Sequence, residues 1–378
     1  MASPPKELFN TRMGLLCNPA SVDSRINHAK ACLHQRFPGA LTALFSPQHG
    51  FFAEKQDNMI ESDHMVDPVS GLPVFSLYGE TRMPTPAMFD KIDTLVIDIQ
   101  DVGTRVYTFI YTMAHCMEAA RRFNKKIIVC DRPNPINGTT TEGNCLAPEY
   151  ASFVGRYPIP MRHGLTIGEL ALFFNSRFGI DCDLEVIPMT GWKRGMRFDE
   201  TGLPWVPPSP NMPTPATAAV YPGQVLLEGT NLSEGRGTTQ PFELFGAPFI
   251  RHQALRPYLL KNRFPGVFLR ETLFEPTSNK WRGEPCFGYQ IHVTDFSTYR
   301  PYATTLKLLG AIIATHPEFA WTPPPYEYEY ELTPIDMLIG DGRIRRRLED
   351  GSDMDDVERS WQDELDAFIE DCRGVWLY

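Results

Sequence analysis

The sequence lacks the features that mark membrane proteins and nucleic-acid-binding proteins. No apolar run approaches the ~20 residues that a helix needs to span a bilayer. Lysine and arginine together number 36, against 46 aspartate and glutamate residues, which gives a net charge of −10. The basic residues are scattered, whereas proteins that bind a phosphate backbone concentrate positive charge on one face. We therefore expect neither a membrane span nor a nucleic-acid partner.

Cysteine patterns typical of metal sites are also missing. The eight cysteines occur singly, and no CxxC or Cys–His pair has the spacing of a zinc site. Most of them lie in apolar stretches, such as Ile127–Cys130, where a thiol behaves as a small hydrophobic side chain. The sequence therefore predicts reduced cysteines in the core and no bound metal.

Several motifs of cofactor-binding and hydrolytic enzymes do not occur. Gly235 and Gly237 lack the third glycine of a dinucleotide-binding loop, and there is no P-loop. HExxH and GxSxG are absent as well, which disfavours metalloproteases and serine hydrolases.

The first residues, Met1–Leu8, contain no apolar segment and no small-residue cleavage site of the kind found in signal peptides. The chain as given therefore predicts a cytoplasmic location. A periplasmic or secreted protein is the alternative if a signal peptide has been removed.

The first half of the chain shows a regular alternation of short apolar runs and helical patterns. Continuous apolar strands that alternate with helices predict a mostly parallel sheet covered on both faces. Right-handed crossovers then produce a Rossmann-like, doubly wound layout. The predicted strands are Met13–Cys17, Leu41–Phe45, Thr94–Ile99, Lys126–Cys130 and Leu184–Ile187. The predicted helices are Asp23–Gln35, Pro84–Lys91, Tyr107–Phe123 and Thr166–Arg177.

The pattern changes after a proline-rich segment, Pro204–Pro215, in which fixed φ angles and missing N–H donors favour extended chain. At roughly 100–200 residues per domain, the length suggests two domains. We predict a fold of the α/β class, with a Rossmann-like domain at 1–220 and a smaller α+β C-terminal domain at 221–378. The second unit is predicted to contain strands at Val220–Glu228, Val267–Phe274 and Tyr289–Val293, and helices at His252–Lys261, Thr304–Thr315 and Met354–Cys372.

Three predicted strands are followed directly by polar residues. In an open α/β sheet, ligands bind beyond the carboxyl ends of the strands. Each loop alone has a plain explanation as a turn, because Asp, Asn, Pro and Gly are the usual turn formers. Convergence of all three at one edge favours a site. The loops are Ser46–Gly50, with Glu54 close behind, Gln100–Arg105 and Asp131–Pro135.

Some polar residues have both a structural and a functional interpretation. Asp98 lies within an apolar strand, and because a buried carboxylate needs partners we expect it to orient Arg105 or Arg132. Thr166 and Glu169 match an S/T-x-x-E capping box, which accounts for Glu169 as a helix-start residue.

Three other features remain open to a site role. His163 precedes the helix start, and a lone histidine is as often a core residue as a site residue. The segment Glu228–Thr239 is dense in polar residues and glycines, which allow a close approach of backbone to a ligand. Glu142 follows a loop of glycine and threonine and is a candidate for the same sheet edge.

Long stretches in nearly the whole chain match one known family in the right order. They are Gly14–Pro19, Pro47–Phe51, Leu72–Gly79, Ile97–Met113, Asp131–Pro135, Tyr157–Pro160, Glu228–Phe245 and Ile335–Gly340. In these motifs the chain resembles the exo-β-N-acetylmuramidase family, the NamZ-type peptidoglycan hexosaminidases.

The resemblance implies a site in the cleft between a Rossmann-like N-terminal domain and a smaller C-terminal domain. It implies release of N-acetylmuramic acid from the non-reducing end of peptidoglycan fragments. The substrate is then a carbohydrate, a muropeptide or an amino sugar, and no nucleotide cofactor is implied. One departure matters. The family pattern after the second strand usually reads Pro-Glu-His-Gly, and its glutamate is the leading catalytic candidate, whereas this chain has Gln48.

An amide cannot donate or accept a proton as a carboxyl group does. Glycoside cleavage normally uses two carboxyl groups that flank the bond. We therefore predict Glu54, six residues further along the same loop, as the general acid. The opposing carboxylate is Asp101, Glu142 or Glu80, and His49 orients the acid or binds substrate.

The resemblance also suggests residues that bind the sugar. An arginine fork suits the lactyl carboxylate of N-acetylmuramic acid, since it bonds a carboxylate bidentately. Asparagine amides suit acetamido and hydroxyl groups. The predicted substrate-binding residues are Gln48, Arg105, Arg132, Asn134, His163, Asn231 and Arg236.

Gln48 leaves two alternatives to this enzyme. One is a catalytically silent protein that binds muropeptides or sugars. The other is a hydrolase of a different linkage on the same sugar, such as its amide or ether. The mass of the product distinguishes these alternatives from release of a free muramic sugar.

Overall fold

A seven-stranded, mostly parallel sheet forms the centre of the N-terminal lobe in the computed structural model, which describes residues 8, 10–57 and 59–378. The first nine strands of the chain are β1 (Met13–Cys17), β2 (Leu41–Ser46), β3 (Met65–Val66), β4 (Pro73–Ser76), β5 (Thr94–Asp98), β6 (Lys126–Cys130), β7 (Glu142–Cys145), β8 (Pro160–Arg162) and β9 (Asp183–Ile187). The sheet order is β3-β4-β2-β1-β5-β6-β9, and every pair is parallel except β3 with β4. Strands β7 and β8 form a separate antiparallel ribbon.

The apolar sequence of the central strands explains the layers around them. Every residue of β1 and of β5 is buried, as expected for strands covered on both faces. The helices of this lobe are α1 (Ala29–Arg36), α2 (Pro86–Phe89), α3 (Phe109–Phe123) and α4 (Ile167–Arg177). Helix α3 ends at Asn124, whose left-handed φ of 52° is a common helix terminator.

The C-terminal lobe combines a small antiparallel sheet with helices. Its strands β10 (Leu244–Ala247), β11 (Val267–Phe274) and β12 (Cys286–Val293) are ordered β10-β12-β11. Its helices are α5 (Pro215–Gln224), α6 (His252–Lys261), α7 (Pro301–Thr315), α8 (Pro334–Ile339), α9 (Gly342–Glu349), α10 (Met354–Arg359) and α11 (Gln362–Cys372). One continuous hydrophobic cluster runs from the large sheet through α3 into α5, α7 and α8, so the two lobes share a core.

The predicted α/β class is confirmed, and local signals placed several elements correctly. Thr166 Oγ1 accepts a hydrogen bond from the Glu169 N–H, and the Glu169 carboxylate accepts one from the Thr166 N–H, as the capping-box motif predicts. The helix predicted from Asp23 begins only at Ala29, because the Asp23 carboxylate accepts from the backbone N–H of Arg25 and of Asn27 and folds this segment into a turn.

Two predicted elements of the C-terminal lobe were wrong. The strand predicted at Val220–Glu228 is the end of helix α5 followed by a 3₁₀ turn, Val225–Gly229. Thr214 Oγ1 accepts a hydrogen bond from the backbone N–H of Thr217 and so caps the start of α5. The apolar run that follows is therefore part of this helix and not a strand. The single helix predicted at Met354–Cys372 is two helices, α10 and α11, which are separated at 360–361.

Membrane, metal and cysteine features can be checked in the part of the chain that the structure describes. None of its helices has the length and apolarity needed to cross a bilayer. Within the same residues we find no group of three or more His, Cys, Asp or Glu side chains arranged to hold a metal ion. All eight cysteines, each in the described part, are free thiols, and five of them are buried.

Candidate active site

A small cavity lies where the loop after β2 and the start of α3 meet the C-terminal lobe. It measures about 40 Å³, which is enough room for ordered water. The residues of the N-terminal lobe that line it include Gln48, His49 and Thr108, and those of the C-terminal lobe include Glu228, Arg236, Tyr326 and Glu327. The cavity therefore lies in a cleft between the lobes.

Gln48 and Glu327 meet directly in this cavity. Gln48 Nε2 donates a hydrogen bond to Glu327 Oε1 at 3.1 Å, and the other carboxylate oxygen accepts from the Tyr78 hydroxyl at 2.6 Å. The Gln48 carbonyl oxygen accepts from Thr108 Oγ1 at 2.7 Å, which sets the orientation of the amide. A carboxyl group from the C-terminal lobe is thus held by two side chains of the N-terminal lobe.

A tight turn delivers Glu327 to this position. The backbone groups of Tyr326 and Glu329 bond each other in both directions, at 3.0 and 2.9 Å. Glu327 and Tyr328 between them both have left-handed φ angles, 47° and 66°. This conformation costs roughly 1–2 kcal/mol for each residue that is not glycine. Such strain persists where the surrounding contacts determine it, and it clusters at functional sites.

The surroundings of Glu327 favour its protonated form. Burial, the largest effect, raises the pKa of its carboxyl group, and the negative charge of Glu228 acts in the same direction. The hydrogen bonds from Tyr78 and Gln48 oppose this effect without cancelling it, so the pKa stays above its ordinary value. A buried carboxyl with a raised pKa is what a general acid requires.

The second carboxylate in the cavity, Glu228, lies in a network of compensating charges. Arg236 Nη2 lies 2.6 Å from Glu228 Oε1, and the Tyr326 hydroxyl donates to Glu228 Oε2 at 2.5 Å. Arg236 also pairs with Glu234, which in turn pairs with Lys280 at 3.0 Å. Burial opposes ionisation of Glu234, but Lys280 and Arg236 outweigh it and hold its pKa below the ordinary value.

His49 is a neutral member of the cavity wall. Burial lowers the pKa of its imidazole to about 4. Its Nδ1 lies 2.8 Å from the carbonyl oxygen of Lys55, and this oxygen can only accept, so Nδ1 carries the proton. Nε2 is then an acceptor at neutral pH. Aromatic side chains also line the cavity, with Tyr221 packed edge-on against Tyr107 and Phe242.

The carboxylates predicted from the sequence lie elsewhere. Glu54 and Glu80 are exposed to solvent, and Glu54 accepts a hydrogen bond from the Phe52 N–H at 3.2 Å. Asp101 is buried, accepts from the Gly103 N–H at 2.7 Å and lies 3.3 Å from His163 Nε2. None of these side chains lines the cavity.

Glu142, the remaining predicted carboxylate, is buried at the contact between the lobes. Its Oε1 accepts from the backbone N–H of Ala303, the third residue of α7, at 2.9 Å. Burial raises the pKa of this carboxyl to about 7. The group is therefore an interlobe contact outside the cavity.

Some of the predicted binding residues lie in the cavity and others lie elsewhere. Gln48, His49 and Arg236 come together in the cavity. Arg105 is fully buried and donates to the carbonyl oxygens of Asn144, Ile159, Leu338 and Ile339, so its guanidinium fastens backbone segments of both lobes.

The other predicted binding side chains hold loops in place. Arg132 forms a bidentate ion pair with Asp98, in the wall of a separate cavity of about 650 Å³. His163 Nδ1 accepts from the backbone of Leu165. Asn134 donates to the Leu165 carbonyl, and Asn231 donates to the carbonyl of residue 318.

Comparison with known proteins decides the family. The model of the N-terminal region of exo-β-N-acetylmuramidase NamZ matches residues 13–216, and the model of its C-terminal region matches residues 219–378. The chain belongs to the NamZ family. Peptidoglycan β-N-acetylmuramidase NamZ from Bacillus subtilis (strain 168) is 46% identical over 374 residues, which cover 99% of this chain and 88% of the relative.

Two solved structures share the NamZ-family fold of this chain. Both are DUF1343 family proteins from Bacteroides fragilis NCTC 9343. One is 36% identical, with a TM-score of 0.87, and the match covers 99% of this chain and 95% of the other. The second is 28% identical, with a TM-score of 0.77, and the match covers 98% and 95%.

Sequence reasoning missed the carboxyl that the structure places beside Gln48 in this NamZ-family chain. Glu327 lies in the run Tyr326–Tyr330, where aromatic and acidic residues alternate. This pattern favours an exposed strand and gives no sign of a site. Glu228 lies in the polar segment Glu228–Thr239, which the sequence indicated as a possible site. Its ion pair with Arg236 is visible only in the folded structure.

Proposed function

We propose that this protein hydrolyses the glycosidic bond of an N-acetylmuramic acid residue at the non-reducing end of peptidoglycan fragments. The observation that carries the proposal is the buried carboxyl of Glu327, held by Gln48 and Tyr78 in a cleft that also contains Glu228. Membership of the NamZ family and the activity named for the Bacillus subtilis relative support it.

In this proposal the two carboxyl groups have different roles. Glu327, whose surroundings favour the protonated form, gives its proton to the oxygen that leaves as the bond to the anomeric carbon breaks. Glu228, which forms an ion pair with Arg236, supplies negative charge against the developing oxocarbenium ion. A water molecule provides the hydroxyl that ends on the anomeric carbon, and its proton restores the acid.

The glutamine at position 48 is compatible with this chemistry. Its amide donates to Glu327 and so positions the acid without titrating itself. We therefore infer that Glu327 performs the proton transfer for which a glutamate at position 48 would otherwise be the candidate. Arg236 is the predicted arginine that lines the cavity, and we assign it to the lactyl carboxylate of the substrate.

Turnover of two substrates tests the assignment. The substrates are a MurNAc–GlcNAc disaccharide and 4-nitrophenyl β-N-acetylmuramic acid, with products identified by mass spectrometry. We expect Glu327→Gln to lower kcat on the disaccharide by roughly 10²–10⁴-fold. The loss should be smaller on the aryl substrate, because nitrophenolate leaves without a proton. Glu329→Gln is the matched control, since Glu329 lies on the same turn outside the cavity lining.

The other outcomes each exclude the proposal. If Glu327→Gln turns over the disaccharide as fast as the natural chain, Glu327 is not the acid. Binding of the disaccharide without release of a free muramic sugar would indicate a silent binding protein, which is the function that an amide at position 48 would otherwise favour. A product with the glycosidic bond intact would indicate a different linkage.

A further inference from the structure

We propose that the open groove beside the cavity is the binding site for the leaving sugar, the residue that follows N-acetylmuramic acid in the substrate. The inference rests on the proposed function and adds where the rest of the substrate lies. The groove has a volume of about 670 Å³, which is within the range of ligand sites in proteins. Asn211 and Arg236 line both the groove and the cavity, so the two spaces adjoin.

The shape of the two spaces sets the direction of the substrate. An enzyme that removes a terminal sugar must enclose that sugar and let the remaining polymer leave towards solvent. The cavity at Glu327 is small, at about 40 Å³, and is less open to solvent than the groove, which is more than ten times larger and lies on the side of Arg236. The acid must lie between the two sugars, because it protonates the oxygen that joins them. The terminal sugar therefore belongs on the cavity side of Glu327, and the leaving sugar in the groove.

The groove lining suits a neutral or positively charged hexosamine. Thr239 and Ser278 contribute hydroxyl groups, Asp57 and Glu275 contribute carboxylates, and Phe274 contributes an aromatic ring. Carboxylates accept hydrogen bonds from sugar hydroxyls, and these bonds are stronger than those between neutral groups. Arg236 is the cation among the described residues of this lining, and the proposed function assigns it to the lactyl carboxylate of the terminal sugar. A sugar with its own carboxylate is disfavoured beside Asp57 and Glu275 by like-charge repulsion.

One wall of the groove is held rigidly. Thr277 donates from its backbone N–H and its hydroxyl to the Gly237 carbonyl, at 2.9 and 2.8 Å. Gly237 has a φ of 77°, and a Cβ on it would lie 2.5 Å from the Ser278 carbonyl oxygen. Only glycine fits this approach, so the loops that carry Thr239 and Ser278 are fixed against each other. A preformed wall loses little entropy when a sugar binds.

A double variant, Glu275→Ala with Ser278→Ala, tests the site. We expect it to lower kcat/KM for MurNAc–GlcNAc about tenfold more than for 4-nitrophenyl β-N-acetylmuramic acid, because the aryl group lacks the hydroxyls that these residues bind. Inhibition of aryl-substrate hydrolysis by free N-acetylglucosamine should weaken by a similar factor. The pH profile should stay unchanged, which distinguishes a binding role from loss of the acid. Glu284→Ala is the matched control, an exposed carboxylate of the same lobe outside the groove lining.

The outcomes separate this inference from the proposed function. If the natural chain hydrolyses neither substrate, the proposed function fails. The second case is that the natural chain hydrolyses both substrates. If kcat/KM of the double variant then falls by the same factor on the two substrates, or does not fall at all, the groove is not the site of the leaving sugar. Unchanged inhibition by N-acetylglucosamine in the double variant would overturn the inference as well.

Discussion

At the scale of single residues, the chemistry of the site depends on how one carboxyl is solvated. Glu327 has lost most of its contact with water, and the two groups that replace water are the Tyr78 hydroxyl and the Gln48 amide. Both donate, and donation stabilises the ionised carboxylate. They therefore moderate the rise in pKa that burial produces, and the balance between these effects decides the pH at which the acid is protonated.

Tyr78→Phe tests this balance. The change removes one donor to the carboxylate, so the pKa of Glu327 should rise further. A general acid works while protonated, and its activity is lost as pH rises through its pKa. We therefore expect the basic limb of kcat/KM for MurNAc–GlcNAc to move to higher pH, by up to about one unit.

The measurement is a pH–rate profile of the variant beside the natural chain. Tyr330→Phe is a suitable control, because Tyr330 is 69% exposed and lies outside the cavity lining. A limb that stays in place, or that moves to lower pH, would show that the Tyr78 hydroxyl does not act on Glu327 as the proposed acid.

At the scale of secondary structure, the small sheet of the C-terminal lobe depends on two opposed glycines. Gly246 of β10 pairs with Gly288 of β12. A Cβ on Gly288 would lie 1.9 Å from the backbone oxygen of Phe245, closer than any real contact. The absence of a side chain therefore allows β10 to approach β12, and Leu244 at the start of β10 lines the groove.

Gly288→Ala should destabilise this lobe. The methyl group meets backbone, which cannot rotate away, so the strands must separate. We expect a loss of about 2–3 kcal/mol in the free energy of unfolding, measured by urea denaturation. Gly195→Ala is the control, since a Cβ there meets nothing within 4 Å. Equal stability of the two variants would contradict the close pairing of β10 and β12.

At the scale of the whole molecule, buried polar contacts join the lobes away from the cleft. Arg105 bonds the carbonyl oxygens of Leu338 and Ile339, and Tyr302 donates to Asn144 Oδ1 at 2.7 Å. The last residue, Tyr378, donates to Asp131 at the end of β6 at 2.8 Å. These contacts and the shared core fix the two lobes against each other on the side away from the cavity.

Glu142 makes this interface sensitive to pH. The pKa of its carboxyl is about 7 in the fold because of burial, and it returns to its usual value of 4.5 on unfolding. The fold thus binds the proton more tightly than the unfolded chain, so this contribution to stability is complete below about pH 4.5 and is lost as pH rises through 7. At 1.36 kcal/mol for each pKa unit, the change is roughly 3 kcal/mol at most.

Glu142→Gln removes the titration while keeping an acceptor for the Ala303 N–H. We expect the stability of the variant, relative to the natural chain, to increase between pH 4.5 and 8. Urea unfolding at a series of pH values measures the difference, with the exposed Glu284→Gln as control. A difference that stays constant over this range would mean that Glu142 does not carry a shifted pKa in the fold.

Patterns that span a few residues were sufficient for much of the fold and for the family. The alternation of apolar strands with helical periodicity predicted the α/β class, and the Thr166–Glu169 cap was readable because its partners are three residues apart. The strand predicted at Val220–Glu228 was wrong because a short apolar run fits a buried helix equally well. Long motifs placed the chain in the NamZ family before any contact was known.

Only the tertiary structure decided which polar residues form the candidate site. Gln48 and Glu327 are 279 positions apart, and no local pattern records that they share a hydrogen bond. The sequence does not distinguish an arginine that faces a ligand from one that is structural. Arg105, for example, donates to backbone carbonyl oxygens in the core. Burial and partners arise when distant segments meet, and these two properties determine whether a carboxyl such as Glu327 keeps its proton.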